Sequence, residues 1–183
     1  MDGNLTETTL TKEELYNGAI IRVRRDTAQM PDGQVVPREV VEHPGGVGIA
    51  LEDEDGTFFL VTQWRYAQEQ VTLEFPAGKR EPGEDPFLTG QREIIEETGY
   101  EGTDWYYLGH IFPTPAYDTE VIELYYARKG AFRGQHLDSD EYINLKKYSL
   151  DELTEMVVNR EISDAKTVYM TLLIKELKAR GVL

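Results

Sequence analysis

Glu93, Glu96 and Glu97 stand at i, i+3 and i+4, a spacing that stacks three carboxylates on one face of an α-helix. Like charges so placed repel, each neighbouring pair costing roughly 0.2–0.5 kcal/mol. An ordinary solvated acidic face relieves this with interleaved lysines, but here the nearby cation is Arg92 alone. A hard divalent cation would relieve it better, because Mg2+ takes carboxylate oxygens together with water and phosphate oxygens. The face therefore reads either as solvated surface or as a metal site. The preceding loop favours the second reading. Gly78 and Gly83 flank a tight turn, and Glu84 sits immediately before the helix, where negative charge is stabilised. Such a loop brings backbone carbonyls and side-chain oxygens around one point.

The element carrying these groups is predicted as a helix from Asp85, which caps it with Pro86 in the first turn, to Gly99, a residue suited to the left-handed C-terminal cap. At about 100° per residue, Phe87, Leu88, Ile94 and Ile95 fall on the side opposite the glutamates. Strands are expected at Ala19–Arg25 and Val35–Glu42 around the turn Met30-Pro31-Asp32-Gly33, and at Gly46–Glu52 and Phe58–Trp64 around Asp53-Glu54-Asp55-Gly56. The apolar run Phe58-Phe59-Leu60-Val61 predicts a strand buried on both faces. Further strands are expected at Trp105–Phe112, Glu120–Ala127 and Tyr142–Tyr148. Two closing helices follow, Asp151–Val158 and Ser163–Lys178, the latter with Met170, Leu173, Ile174 and Leu177 in helical register. Strands mixed with three helices, without regular βαβ alternation, point to an α/β layered fold around a mixed sheet.

Composition narrows the function. The chain of 183 residues suits one domain with a modest extension. Its net charge of −15, spread along the sequence, repels a polyphosphate backbone and argues against nucleic-acid binding. A small anion could bind only where a metal ion or a few arginines reverse the local sign. There is no cysteine, which removes thiol nucleophiles, thiolate metal sites and disulfides. No apolar run is long enough for a membrane span, and the polar, acidic start does not read as a secretory signal, so a cytoplasmic protein is expected. His43, His110 and His136 show no ligand spacing, and Gly45-Gly46-Val47-Gly48 precedes a strand rather than a helix, unlike a phosphate loop.

The segment GKREPGEDPFLTGQREIIEETGY, Gly78 to Tyr100, resembles the Nudix box at every defined position: Gly78, Glu84, Arg92-Glu93-Ile94, Glu96-Glu97 and Gly99-Tyr100. The resemblance implies a Nudix fold, a mixed β-sheet sandwiched between helices with an N-terminal antiparallel β extension. It implies Mg2+ (with Mn2+ as substitute) held by Glu93, Glu96, Glu97 and the backbone carbonyl of Ala77, with Arg92 and Glu84 holding the loop on the helix. Metal ions in such a site neutralise a pyrophosphate, orient it and activate water, so no covalent nucleophile is needed.

Beyond the box, Gln63-Trp64-Arg65 and Leu73-Glu74-Phe75-Pro76-Ala77-Gly78 are similar to the ADP-ribose pyrophosphatase branch. Pro115 lies at the spacing from Gly99 that goes with ADP-ribose specificity in that branch, although it also reads as a turn residue beside Pro113. Arg38-Glu39-Val40-Val41 resembles the strand that lies by the substrate in swapped dimers. The resemblance thus implies substrate contacts from Arg65, Arg38, Glu39 and Pro115, and a homodimer in which residues 1–44 form the extension and 45–183 the hydrolase domain. Arg65 reads equally as a salt-bridge partner, and Trp64, Tyr66 and Tyr117 as core or interface filler rather than base-stacking groups. For the catalytic base the resemblance implies Glu141, with Asp138, Asp140 or Glu96 as alternatives. The expected reaction is hydrolysis of ADP-ribose or a related nucleoside diphosphate sugar to AMP and ribose 5-phosphate or their equivalents. A GDP-mannose or broad nucleotide-sugar hydrolase is the alternative, and a non-catalytic nucleotide-sugar-binding regulator the rival of another class.

Overall fold

Near the N-terminus, strands β1 (Thr8–Asn17), β2 (Arg22–Gln29) and β3 (Val35–Glu42) pair antiparallel in the order β1-β2-β3. β3 keeps its predicted limits, whereas β2 runs on to Gln29 from Arg22 instead of spanning Ala19–Arg25, with Arg22 opposite Glu42 and Gln29 opposite Val35. β1 was not foreseen. Its sequence TTLTKEELYN is exposed at every position, so it carries no burial pattern to betray it, and its register is held by pairing with β2 and by the Arg25–Glu13 ion pair. The computed structural model describes residues 4–137 and 141–183. These strands belong to one of two compact units, Met1–Gly45 with Phe112–Val121, while Gly46–Ile111 and Ile122–Leu183 form the other.

The second unit contains β4 (Gly46–Glu52), β5 (Thr57–Arg65), β6 (Gln70–Glu74), β7 (Ala77–Lys79), α1 (Pro86–Thr98), β8 (Tyr100–Ile111), β9 (Ile122–Phe132), β10 (Ile143–Ser149), α2 (Leu150–Val158) and α3 (Ala165–Ala179). Its seven-stranded sheet runs β10-β5-β4-β9-β8, with β6 beside β5 and β7 beside β4. β4 and β9 are parallel and the other pairs antiparallel, so the sheet is mixed, as predicted.

Alternation along the strands feeds a core on each face of that sheet. Ala50, Phe58, Leu60, Leu124 and Tyr126 pack with Leu153 of α2 and Met170 and Ile174 of α3. Val47, Ile49, Leu51, Phe59, Tyr125 and Ala127 pack on the other side with Ile94 of α1. The run Phe58 to Val61 is buried throughout because each face of β5 meets a core. α1 keeps its predicted limits. Asp85 accepts the N–H groups of Phe87 and Leu88, and Gly99 closes the helix at φ 80. Leu88, expected on the apolar side, is exposed instead, while Thr89 and Gly90 are buried. Small residues there let α1 approach the sheet.

Candidate active site

The loop before α1 is built to face its carboxylates. Arg92 donates to both oxygens of Glu84, at 3.2 and 3.1 Å, and to the carbonyl of Lys79. Glu84 in turn accepts the Glu81 N–H at 3.1 Å. The Arg92 guanidinium and that N–H hold the Glu84 carboxyl at about 2, and Glu84 holds the Arg92 pKa above its usual value. Gly78 is required by contact: a Cβ there would fall 1.8 Å from Glu93 Cδ. The loop backbone and the Glu93 carboxylate therefore touch directly, which is the convergence expected from the spacing.

The three glutamates do not share one environment. Glu97 is 1% exposed and accepts the Ala77 N–H at 3.0 Å. Arg92 Nη1 donates to Glu93 and to Glu96, each at 2.8 Å. Burial, and then the neighbouring charge of Glu141, push the Glu97 carboxyl up to about 8. Burial likewise pushes Glu93 up to about 7, against Arg92 and with help from Glu96 and Glu141. For both groups burial outweighs the positive charge at hand, Arg92 for Glu93 and Lys166 for Glu97. A hard cation would supply more, and the donors at hand, carboxylates and backbone carbonyls, are those a hard cation takes. Among the described residues, no group of three or more acidic or histidine side chains closes on an ion unaided.

The charge of Glu141 acts on both Glu93 and Glu97. The segment leading toward it is tied to the end of α1: His136 N–H donates to Glu96 O, and Gln135 Nε2 to Glu97 O at 2.6 Å. On its other side β10 begins at Ile143, opposite Gln63. Asp138 and Asp140 lie outside the described residues.

The groups expected at the substrate divide between the units. Arg65, at the end of β5, donates twice to Glu74, at 2.7 and 2.6 Å, and also interacts with the charge of Glu97. Trp64 and Tyr66 are exposed in the same unit. Arg38, Glu39, Pro115 and Tyr117 belong to the first unit. There Arg38 forms a two-point pair with Glu7, Glu39 lies opposite Arg25, and Pro115 sits in an exposed turn closed by Asp118 N–H on Thr114 O at 3.0 Å.

Sequence reasoning missed a buried polar network behind the box. Glu74 is 2% exposed and Lys166 5%. Lys166 Nζ donates to Glu74 and to Asp164, and Thr72 Oγ1 donates to Glu74 at 2.6 Å. The usable signal was Lys166 itself, in helical register with Met170, Leu173 and Ile174, since a charge on an apolar stripe needs a buried partner.

A model of the NUDIX domain matches residues 42–169. The chain belongs to the NUDIX family. The model of the nucleoside diphosphate sugar hydrolase N-terminal domain matches residues 7–41, so the chain joins the family's hydrolase domain to the N-terminal domain named for the nucleoside diphosphate sugar hydrolases. It is 36% identical over 165 residues to a methanol dehydrogenase activator of Bacillus methanolicus, covering 88% of this chain and 89% of that one. It is 32% identical over 168 residues to an ADP-ribose pyrophosphatase of Bacillus subtilis, covering 91% of each. A crystal structure described as ADP compounds hydrolase shares the fold, with a TM-score of 0.85 over 100% of both chains at 19% identity.

Proposed function

We propose that this protein hydrolyses the pyrophosphate bond of ADP-ribose, or a closely related nucleoside diphosphate sugar, in a Mg2+-dependent reaction giving AMP and ribose 5-phosphate. The observation that carries this reading is the convergence of the buried Glu93 and Glu97 carboxylates on the Gly78 loop, Glu93 against Gly78 and Glu97 on the Ala77 N–H. Its substrate side is supported by the likeness to the Bacillus subtilis ADP-ribose pyrophosphatase along nearly the whole chain. Glu93, Glu96, Glu97 and the Ala77 carbonyl would hold the cation. When bound, it would neutralise phosphate charge and make a water molecule more acidic.

The chain's own groups do the rest. Arg92 fixes the loop on α1 and restrains the carboxylates of Glu93 and Glu96. Glu141 accepts the proton of the attacking water. The water oxygen bonds to one phosphorus as the bridging P–O bond breaks, and the bridging oxygen leaves with the other phosphate. Arg65, part-exposed beside Glu74, would meet a substrate anion.

The active form is a homodimer and, in keeping with the absence of cysteine, cytoplasmic. The support for dimerisation is β1, an edge strand whose ten residues are all exposed, Leu10, Leu15 and Tyr16 among them. An edge strand of that length offers its unpaired backbone groups, with Leu10, Leu15 and Tyr16 beside them, to a second copy.

Product analysis with ADP-ribose, GDP-mannose, ADP-glucose, NADH and a diadenosine polyphosphate, each with and without Mg2+, tests the substrate class. The expected result is AMP and ribose 5-phosphate from ADP-ribose at the highest kcat/KM. Faster cleavage of GDP-mannose would move the protein to the other branch, and tight binding without cleavage would make it a regulator.

A further inference from the structure

The stretch from Glu74 to Ala77 is held residue by residue, at the Glu74 side chain and then at the backbone of Phe75, Pro76 and Ala77, and two of its anchors come from the start of α3. Thr167 Oγ1 donates to Asp164 Oδ2 at 2.6 Å, which leaves the oxygen to accept the Phe75 N–H at 2.9 Å. Lys166 Nζ donates to Glu74 and to Asp164. Pro76 O accepts the Ile49 N–H at 2.8 Å, and the Ala77 N–H donates to Glu97 at 3.0 Å. Thr167 and Phe75 are both 0% exposed, so neither group can exchange its partner for water.

We propose that Lys166 and Thr167 are positioning residues for the acidic centre: Lys166 holds the Glu74 carboxylate and Thr167 the Phe75 N–H, and together they set Ala77 against Glu97. This rests on the reading of Ala77, Glu93 and Glu97 as a cation site. Two neighbouring residues of one helix grip two neighbouring residues of the strand end, so the first turn of α3 sets where the loop begins. From there the chain has only Pro76 before it reaches the Ala77 carbonyl. The ammonium of Lys166 also acts on Glu97 through space, which couples α3 to the same carboxylate by a second route.

The test is direct Mn2+ binding, followed by the electron paramagnetic resonance of the free ion, on wild type, Thr167→Val, Thr167→Ser and Lys166→Gln, with folding checked by circular dichroism. kcat and KM for ADP-ribose are measured at saturating Mn2+. Partners that orient metal ligands typically contribute 10–100-fold to affinity, so Thr167→Val should weaken Mn2+ binding by about tenfold, with KM little changed. Thr167→Ser, which restores the acceptor, should return to near wild type. Lys166→Gln should weaken Mn2+ in the same direction, and it decides the matter should Thr167→Val not fold. Folded Thr167→Val and Lys166→Gln proteins with wild-type Mn2+ affinity would overturn the proposal and leave α3 a purely structural brace. A wild-type protein that binds no Mn2+ would instead overturn the cation site itself.

Discussion

At Glu97 the sequence pattern and the physics of burial meet. The carboxylate is almost fully enclosed, receives one backbone N–H from Ala77, and is pushed up to about 8 first by burial and then by Glu141. The box residues were legible because their chemistry depends on local spacing: a helix fixes i, i+3 and i+4, and Gly78 admits the Glu93 carboxylate. Glu74, Lys166 and Thr167 were not legible as a group, because their hydrogen bonds join positions far apart in the chain and no local pattern encodes such pairs. Glu141 lies between these cases. Its role was implied by resemblance, as the acidic residue before the aromatic-aliphatic pair Tyr142-Ile143, and its charge acts on Glu93 and Glu97. If it takes the proton from water, Glu141→Gln lowers kcat by roughly 10²–10⁴ and leaves Mn2+ affinity near wild type. Stopped-assay kinetics beside metal titration check this, and near-normal turnover would assign the base elsewhere.

Among the elements, α1 was predicted to the residue because its limits are chemical: a capping aspartate, a proline in the first turn and a glycine at positive φ. β1 was invisible because its stability comes from pairing, not from burial. The strand end at Glu74 is secured by charge. Burial opposes ionisation of Glu74, but Arg65 and Lys166 outweigh it and hold the carboxyl at about 2. A depressed folded-state pKa means that protonation favours the unfolded chain. The stability this group contributes is complete above its ordinary value of 4.5 and is lost as pH falls toward about 2. Thermal unfolding from pH 6 to pH 3 should therefore lower the Tm of wild type more than that of Glu74→Gln, and equal losses would contradict the assignment. At neutral pH, Glu74→Ala leaves Lys166 to Asp164 alone and Arg65 to solvent, and should cost about 1–3 kcal/mol in denaturant unfolding. In α3, Thr171 Oγ1 is the buried side-chain atom without a hydrogen-bond partner among the described residues. Thr171→Val removes an unsatisfied hydroxyl at nearly constant shape, so its denaturation midpoint should equal or exceed that of wild type.

For the whole molecule, a net charge of −15 makes binding of an anionic substrate depend on local reversal of sign, and the acidic centre reverses sign only once a cation is present. The mixed sheet with helices on both faces was legible in the sequence, because the alternation along β4, β5 and β9 shows which residues serve each core. The membership of Phe112–Val121 in the N-terminal unit was not, since an irregular segment carries no periodicity to follow. The open edge of β1 predicts that sedimentation will give twice the chain mass, and that Leu10→Glu with Leu15→Glu will give the single-chain mass. A monomeric wild type would contradict the dimer. The central claim is that the carboxylates of α1 make this chain a cation-dependent pyrophosphatase. It is tested most directly by following AMP release from ADP-ribose across a Mg2+ titration, with wild type and Glu97→Gln side by side. Turnover should rise with Mg2+ in wild type, vanish with EDTA, and be lost in a Glu97→Gln protein that remains folded. Equal turnover by the two proteins, or turnover indifferent to Mg2+, would contradict the claim.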